Sequence, residues 1–215
     1  MWDYISGEGK STKHMAIERS NSAQMEEHPL PPFLPPNATI LMLGSFPPQK
    51  KRWCMDFFYP NFINDMWRIM GLVFYEDKLY FVNTENKCFI KDKIIKFLQE
   101  TGIALYDTAT RVQRLQDNAS DKFLKIENVT DIPNLLKHIP QCKAIATTGQ
   151  KASEVLAELY HVEVPNVGRS VSIKEDDKSL EFYRMPSSSR AYPMRLEQKA
   201  EFYRNMFQHL NLINT

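Results

Sequence analysis

Apolar and polar positions along the chain follow two rhythms. Three short runs, Ala38–Leu43, Ile103–Tyr106 and Ala144–Thr148, are largely apolar, and a fourth, Leu180–Arg184, sets Leu, Phe and Tyr among Glu181 and Arg184. Their length suits strands buried in a sheet, and glycine or an acidic turn ends several of them. Between them lie stretches with a helical period. Asn64–Gly71 places Met66, Trp67 and Met70 on one face, with Gly71 as a stop. Lys91–Glu100 turns Ile94, Ile95 and Leu98 inward and ends at Gly102. Ile132–His138 reads as a short helix, and Gln150–Tyr160 as a longer one with Ala152, Val155, Leu156 and Leu159 on its apolar side. Arg195–Leu210 closes the chain with Leu196, Phe202, Phe207 and Leu210 in one stripe.

Strands alternating with helices predict an α/β fold, three layers with a mostly parallel four-stranded sheet in the order 2-1-3-4. No linker divides residues 29–215, which read as one domain. Five prolines in Pro29–Pro36 exclude a helix and give an extended lead-in to the first strand. Residues 1–28 read as a polar, loosely ordered extension in which His14 and His28 are solvated. Residues 72–90 carry no clear period. Arg111, Arg114, Asp117 and Asp121 read as decoration of a polar loop.

Composition narrows the function. Net charge is +1 over 215 residues, so no global basicity marks a nucleic-acid binder, although local patches can still set the field of a cleft. Cys54, Cys88 and Cys142 share no close spacing, which speaks against a zinc site and for reduced thiols in a cytoplasmic chain. No apolar stretch reaches the roughly 20 residues that span a bilayer, and residues 1–27 lack the apolar core of a signal peptide. Neither GxGxxG nor a P-loop occurs, so neither a dinucleotide nor any other cofactor is implied.

Three segments carry candidate chemistry. The first strand ends in Gly44-Ser45-Phe46-Pro47-Pro48, at the sheet edge where open α/β folds bind ligands. Tyr59-Pro-Asn-Phe-Ile-Asn-Asp-Met-Trp67 leads into the next helix, and Met185-Pro-Ser-Ser-Ser-Arg190 follows the last strand. We expect all three at one pocket. Phe46 is either a stacking platform or a core residue, and the N–H groups of Ser45 and Phe46 suit a carbonyl or a developing anion. Asn64 is either a helix N-cap or an amide that orients a water. Asn61 competes with it, and Asp65 is a carboxylate at the helix start. Tyr59 is a pocket wall or a core tyrosine. Lys50, Lys51, Arg52 and Arg190 offer phosphate contacts, as do the hydroxyls of Ser187, Ser188 and Ser189.

The order and strand-end placement of these segments resemble the uracil-DNA glycosylase superfamily, most nearly its mismatch-specific and hypoxanthine-DNA branches. The resemblance covers roughly residues 38–210. It implies a DNA glycosylase that hydrolyses the N-glycosidic bond of a flipped base by water attack. On that reading Asn64 and Asp65 are catalytic, Gly44, Ser45, Phe46, Pro47, Tyr59 and Asn61 bind the base, and DNA is the partner of a monomer. The chain departs from the family pattern in three places. Gly44-Ser-Phe-Pro47 holds no Asp, Met185 stands where efficient uracil enzymes carry His, and Arg190 stands where many relatives have Pro. No Lys occupies a motif position, so a Schiff-base lyase is not indicated. The departures keep open a non-catalytic nucleic-acid-binding member of the same fold. A small-molecule α/β hydrolase is a third reading, against which stands the absence of GxSxG.

Overall fold

The computed structural model describes residues 24–115 and 124–213; residues 1–23 of the polar extension, together with Asp117 and Asp121, lie outside them. In chain order the strands and helices are β1 (Gln24–Glu27), β2 (Ile40–Gly44), α1 (Met66–Tyr75), β3 (Val82–Asn83), β4 (Cys88–Phe89), α2 (Lys91–Thr101) and β5 (Ile103–Asp107). Then follow β6 (Ala109–Arg114), β7 (Leu124–Val129), α3 (Ile132–His138), β8 (Ala144–Thr148), α4 (Gln150–Leu159), β9 (Arg169–Glu175), β10 (Lys178–Met185) and α5 (Leu196–His209).

The main sheet runs β5-β2-β8-β10-β9. Its first four strands are parallel, and β9 lies antiparallel on β10 at the edge. The sheet therefore has five strands, not four. The addition is a hairpin strand whose alternating pattern (Val171 and Ile173 among Ser and Lys) hides among charges. Every residue of β2, β5 and β8 is buried, as unbroken apolar runs require. The expected strand at 38–43 begins at Ile40 and takes in Gly44, which faces Asp107 across the ladder.

The chain leaves β2 for β5 through α1 and α2, then crosses back to β8 and β10 through α3 and α4. Right-handed crossovers in opposite directions put these two helix pairs on opposite faces. The closing helix joins the α1 face: Arg204 of α5 donates to the carbonyls of Leu72 (2.9 Å) and Val73 (3.3 Å), and Phe207 meets Phe74 edge-on. Trp67, Phe81, Phe97, Phe182, Tyr203 and Phe207 fill the core. Among the described residues no helix is long and apolar enough to cross a membrane.

Three expectations need correction. The helix expected to stop at Gly71 continues to Tyr75 and ends at Glu76, whose φ of 56° takes the left-handed role. Gly71 is interior because a Cβ there would lie 2.3 Å from the Asp77 carbonyl oxygen, so close packing rather than capping selects glycine. Gly102, with φ 68°, does end α2. The polar loop containing Arg111 and Arg114 is strand β6, the centre of a second sheet, β1-β6-β7. Its ladder alternates buried Val112 and Arg114 with outward residues. Finally, part of the loosely ordered extension is structured. Gln24–Glu27 pair with β6, and the His28 side chain is 2% exposed rather than solvated. Arg114 explains the anchoring: its buried guanidinium forks onto Glu26 (2.7 and 3.0 Å), a bidentate pair that fixes β1.

Candidate functional site

The direction of chain travel reverses between β2 and β8, and at such switch points the loops beyond the carboxyl ends diverge and leave a crevice. A cleft of about 850 Å³ opens there. Gly44-Ser45-Phe46-Pro47 leaves β2 on one side; Thr148-Gly149 leaves β8 on the other. Tyr59, Asn61 and Asn64 complete one wall, and Met185 through Arg190 the facing one. The three segments singled out from the sequence thus share a single cleft.

The facing wall is held by backbone and ion pairs. Asp65 N–H donates to the Ser188 carbonyl (2.9 Å), and Asn64 pairs with Ser189 in an isolated antiparallel bridge. Ser189 N–H turns back on the Ser187 hydroxyl (3.2 Å), a local turn that small hydroxyls favour. Tyr203 of α5 donates to the Pro186 carbonyl (3.0 Å); full burial pushes its phenol well above the usual range. Lys199, fully buried, donates to the Ser189 carbonyl (2.7 Å) and lies 3.4 Å from Asp65 Oδ2. Arg190 Nε takes Asp65 Oδ1 at 3.0 Å.

The structure sorts the expected residues. Asp65 does not line the cleft, and each of its oxygens faces a cation. Asn64 lines the cleft with its Oδ1 accepting from Met66 N–H (2.9 Å), a local turn one residue before the N-cap Asp65, and its amide nitrogen has no hydrogen-bond partner among the described residues. Arg68 supports it by donating to the carbonyls of Asn64 (3.0 Å) and Phe62 (2.9 Å); burial, foremost, lowers the pKa of that guanidinium. Asn61 turns its Oδ1 onto Ile63 N–H (3.2 Å). Tyr59, with φ 49°, reaches across to the Thr148 hydroxyl (3.0 Å), joining the two walls. Phe46 borders the cleft and, at 7% exposure, packs with Ala109, Val112 and Leu124.

The basic run divides. Arg52 lines the cleft, whereas Lys50 and Lys51 face a groove beside β1. Lys50 pairs with exposed Asp56 (2.5 Å) and covers the Trp53 ring. Both lysines were expected beside the cleft, but the single turn of 3₁₀ helix over Lys50–Arg52 points successive side chains apart.

Sequence reasoning missed Asp107 and His28. Asp107 ends β5, lines the cleft and is buried. His28 Nε2 lies 2.9 Å from its Oδ2. An Asp closing an apolar strand run was the available signal for the first; nothing local announces the second. Among the described residues no group of three or more His, Cys, Asp or Glu could hold a metal.

No family model matches the chain. Over 131 residues it is 28% identical to a hypoxanthine DNA glycosylase of Methanosarcina barkeri, covering 60% of this chain and 75% of that one. The solution NMR structure of a candidate uracil DNA glycosylase from Methanosarcina acetivorans superposes with a TM-score of 0.57 at 24% identity, over 87% of this chain and 99% of that one. In sequence motifs and in fold, the chain resembles the uracil-DNA glycosylase superfamily.

Proposed function

We propose that the protein is a monofunctional DNA glycosylase. It hydrolyses the N-glycosidic bond of a deaminated or mismatched base, of the uracil or hypoxanthine class, after that base has flipped out of the duplex. The observation that carries this reading is the meeting of Gly44–Pro47, Tyr59–Asn64 and Met185–Arg190 in one cleft at the switch point. A base must leave the stack to be cleaved, and such a cleft can receive it. Phe46 offers the aromatic edge, and the backbone N–H groups after β2 support charge on the departing base. Asn64 holds the water through its amide nitrogen. An amide cannot take a proton at neutral pH, so departure of the base leads the reaction and turnover is slow. Ser187, Ser189, Arg52 and Arg190 take the flanking phosphates, which makes binding fall with salt.

One observation favours the non-catalytic alternative: Asn64 Oδ1 is committed to Met66 and Asp65 to its cations. A single experiment separates the two. Single-turnover base release is measured on duplexes carrying uracil, hypoxanthine, xanthine or a mismatched thymine. Release of at least one base, with strand breakage only after alkali, supports the enzyme. Salt-sensitive duplex binding without release from any of the four leaves a binding protein.

A further inference from the structure

We propose that Glu26 is a positioning residue of the cleft: through Arg114 it fixes the Pro47 carbonyl, and with it the Ser45–Phe46 turn that receives the base; this rests on the glycosylase reading above. Phe46-Pro47-Pro48 is a stiff piece of chain. Each proline locks its own φ and confines the residue before it to extended backbone. With so few soft dihedrals, the direction of the peptide planes at Pro47 and Pro48 settles where the Phe46 ring and the N–H groups of Ser45 and Phe46 lie. Prolines have no N–H, so only their carbonyls can tie the segment down by hydrogen bonds.

Both carbonyls are gripped. Arg114 donates from Nη2 to the Pro47 carbonyl (3.1 Å), and Trp53 donates from Nε1 to the Pro48 carbonyl (2.7 Å). Trp53 is held locally, by its own N–H on the Lys50 carbonyl (3.0 Å). Arg114 is held from a distance. The same Nη2 donates to Glu26 Oε2 (3.0 Å) while Nε donates to Oε1 (2.7 Å). The carboxylate therefore sets the plane of the guanidinium, and the plane aims the other Nη2 hydrogen at Pro47. The Arg114 side chain is 3% exposed and that of Glu26 19%, and Arg114 lines the cleft. A guanidinium so buried does not stay in place without its carboxylate, because the uncompensated charge turns toward water. The Pro47 carbonyl then loses its donor.

Strand pairing delivers Glu26 to this place. β1 lies on β6 with Glu26 opposite buried Val112, and His28 N–H donates to the Thr110 carbonyl (2.8 Å). β6 supports the turn as well: Ala109 N–H donates to the Ser45 carbonyl (3.2 Å), and Phe46 packs with Val112. The second sheet is thus a splint along one wall of the cleft, and β1 is the strand that locks it. The segment before the proline lead-in, which the sequence alone left outside the domain, supplies the lock. A glutamate in a polar stretch carries no local sign of this role, since its partner lies 88 residues downstream.

The test reads the loop and the reaction separately. The Trp53 indole N–H, which reports on the Pro48 carbonyl, is followed by proton–nitrogen correlation NMR and assigned by its loss in Trp53→Phe. The Trp67 indole, bonded to the Phe58 carbonyl (3.1 Å) in the core, is the control. In Glu26→Gln the Trp53 signal should shift or broaden while the Trp67 signal stays. Glu26→Asp, which keeps two acceptor oxygens, should leave both signals near their original places. Single-turnover release is then measured on whichever duplex the unaltered protein acts on, among those carrying uracil, hypoxanthine, xanthine or a mismatched thymine. The rate at saturating protein should fall ~10-fold or more in Glu26→Gln, the scale of a small misplacement at a reacting centre, and Glu26→Asp should recover most of it. The concentration at half-saturation should stay within about twofold, since phosphate contacts supply most of the affinity; that split marks lost positioning rather than lost binding. A folded Glu26→Gln protein with an unmoved Trp53 signal, an undiminished rate at saturation or a Trp67 signal that moves as far overturns the assignment. If Glu26→Gln does not fold, Arg114→Lys takes its place: it keeps a charge for Glu26 without the planar fork, and the same results decide. No release from any of the four duplexes by the unaltered protein overturns the glycosylase reading, and the indole signals still decide whether Glu26 holds the loop.

Discussion

Two buried aspartates stand close to the cleft, and the chain treats them in opposite ways. Asp65, 6% exposed, is paired on both oxygens, with Arg190 on one and Lys199 near the other, and does not line the cavity. Among the described residues Asp107, 7% exposed, is paired on one carboxylate oxygen, and it borders the cavity. Burial and ion pairing alone do not separate a strut from a group that borders the cavity. What separates them is whether a lone pair still faces the space an occupant would fill. Asp65 ties the serine loop to the start of α1; Asp107 keeps an oxygen in hand.

The comparison can be broken most forcefully at Asp65. Asp65→Ala leaves the Lys199 ammonium buried beside an empty site and should destabilise the fold by about 3–5 kcal/mol in urea unfolding. Asp107→Ala should lose less, because it removes one hydrogen bond to His28 rather than two contacts to cations. A reversed order would show that the strut is Asp107.

Next in size is the rim. Asn64→Ala should lower single-turnover release by ~10²-fold or more, the scale of one preorganised polar group. Duplex affinity should hold, since phosphate contacts supply most of it. If Asn64 is only a cap, the protein should instead lose ~1 kcal/mol of stability and keep its activity.

The floor is sharpened by Gly44→Ala. The added methyl must displace Asp107 Oδ1 from a position 2.2 Å away. Overpacking of this kind should cost about 1–3 kcal/mol in urea unfolding. Unchanged stability would mean that the carboxylate moves freely, contrary to its pairing with His28.

The smallest effect concerns thiols on neither side of the comparison. Burial pushes Cys142 and Cys54 up to about 11, with the neighbouring Cys88 thiol adding to the effect at Cys54. A raised acid keeps its proton in the folded state. Thiolate is therefore scarce at neutral pH and appears only as the pH climbs toward that value; the associated stability is lost over the same rise. Alkylation at neutral pH should run roughly 100-fold slower in the native protein than in urea, two units below its unperturbed thiolate level. Equal rates would expose an opening near β8.

What the sequence revealed follows from how each feature is encoded. Buried parallel strands are continuous apolar runs, so β2, β5, β8 and much of β10 were legible, as were the helices with clear stripes. β6 and β9 were not, because strands with one wet face carry charge at every second position and read as loops when Arg or Lys fills it. The motif segments pointed to the cleft because backbone geometry at strand ends has its own residue signature in Gly, Ser and Pro. The ionic partners had none. That Asp65 meets Lys199, or that His28 meets Asp107, depends on positions 134 and 79 residues apart.

Those separations bear on when the cleft comes into being. The contacts that shape it span 79, 125 and 134 residues. Closing loops of that length precedes any reward from the contacts they bring together, which makes such pairings late events in folding. During synthesis from the N-terminus, β2 and β5 can pair long before α5 emerges to deliver Lys199. A growing chain therefore carries its sheet before it carries its rim, and the serine loop takes its working shape only once the final helix has docked.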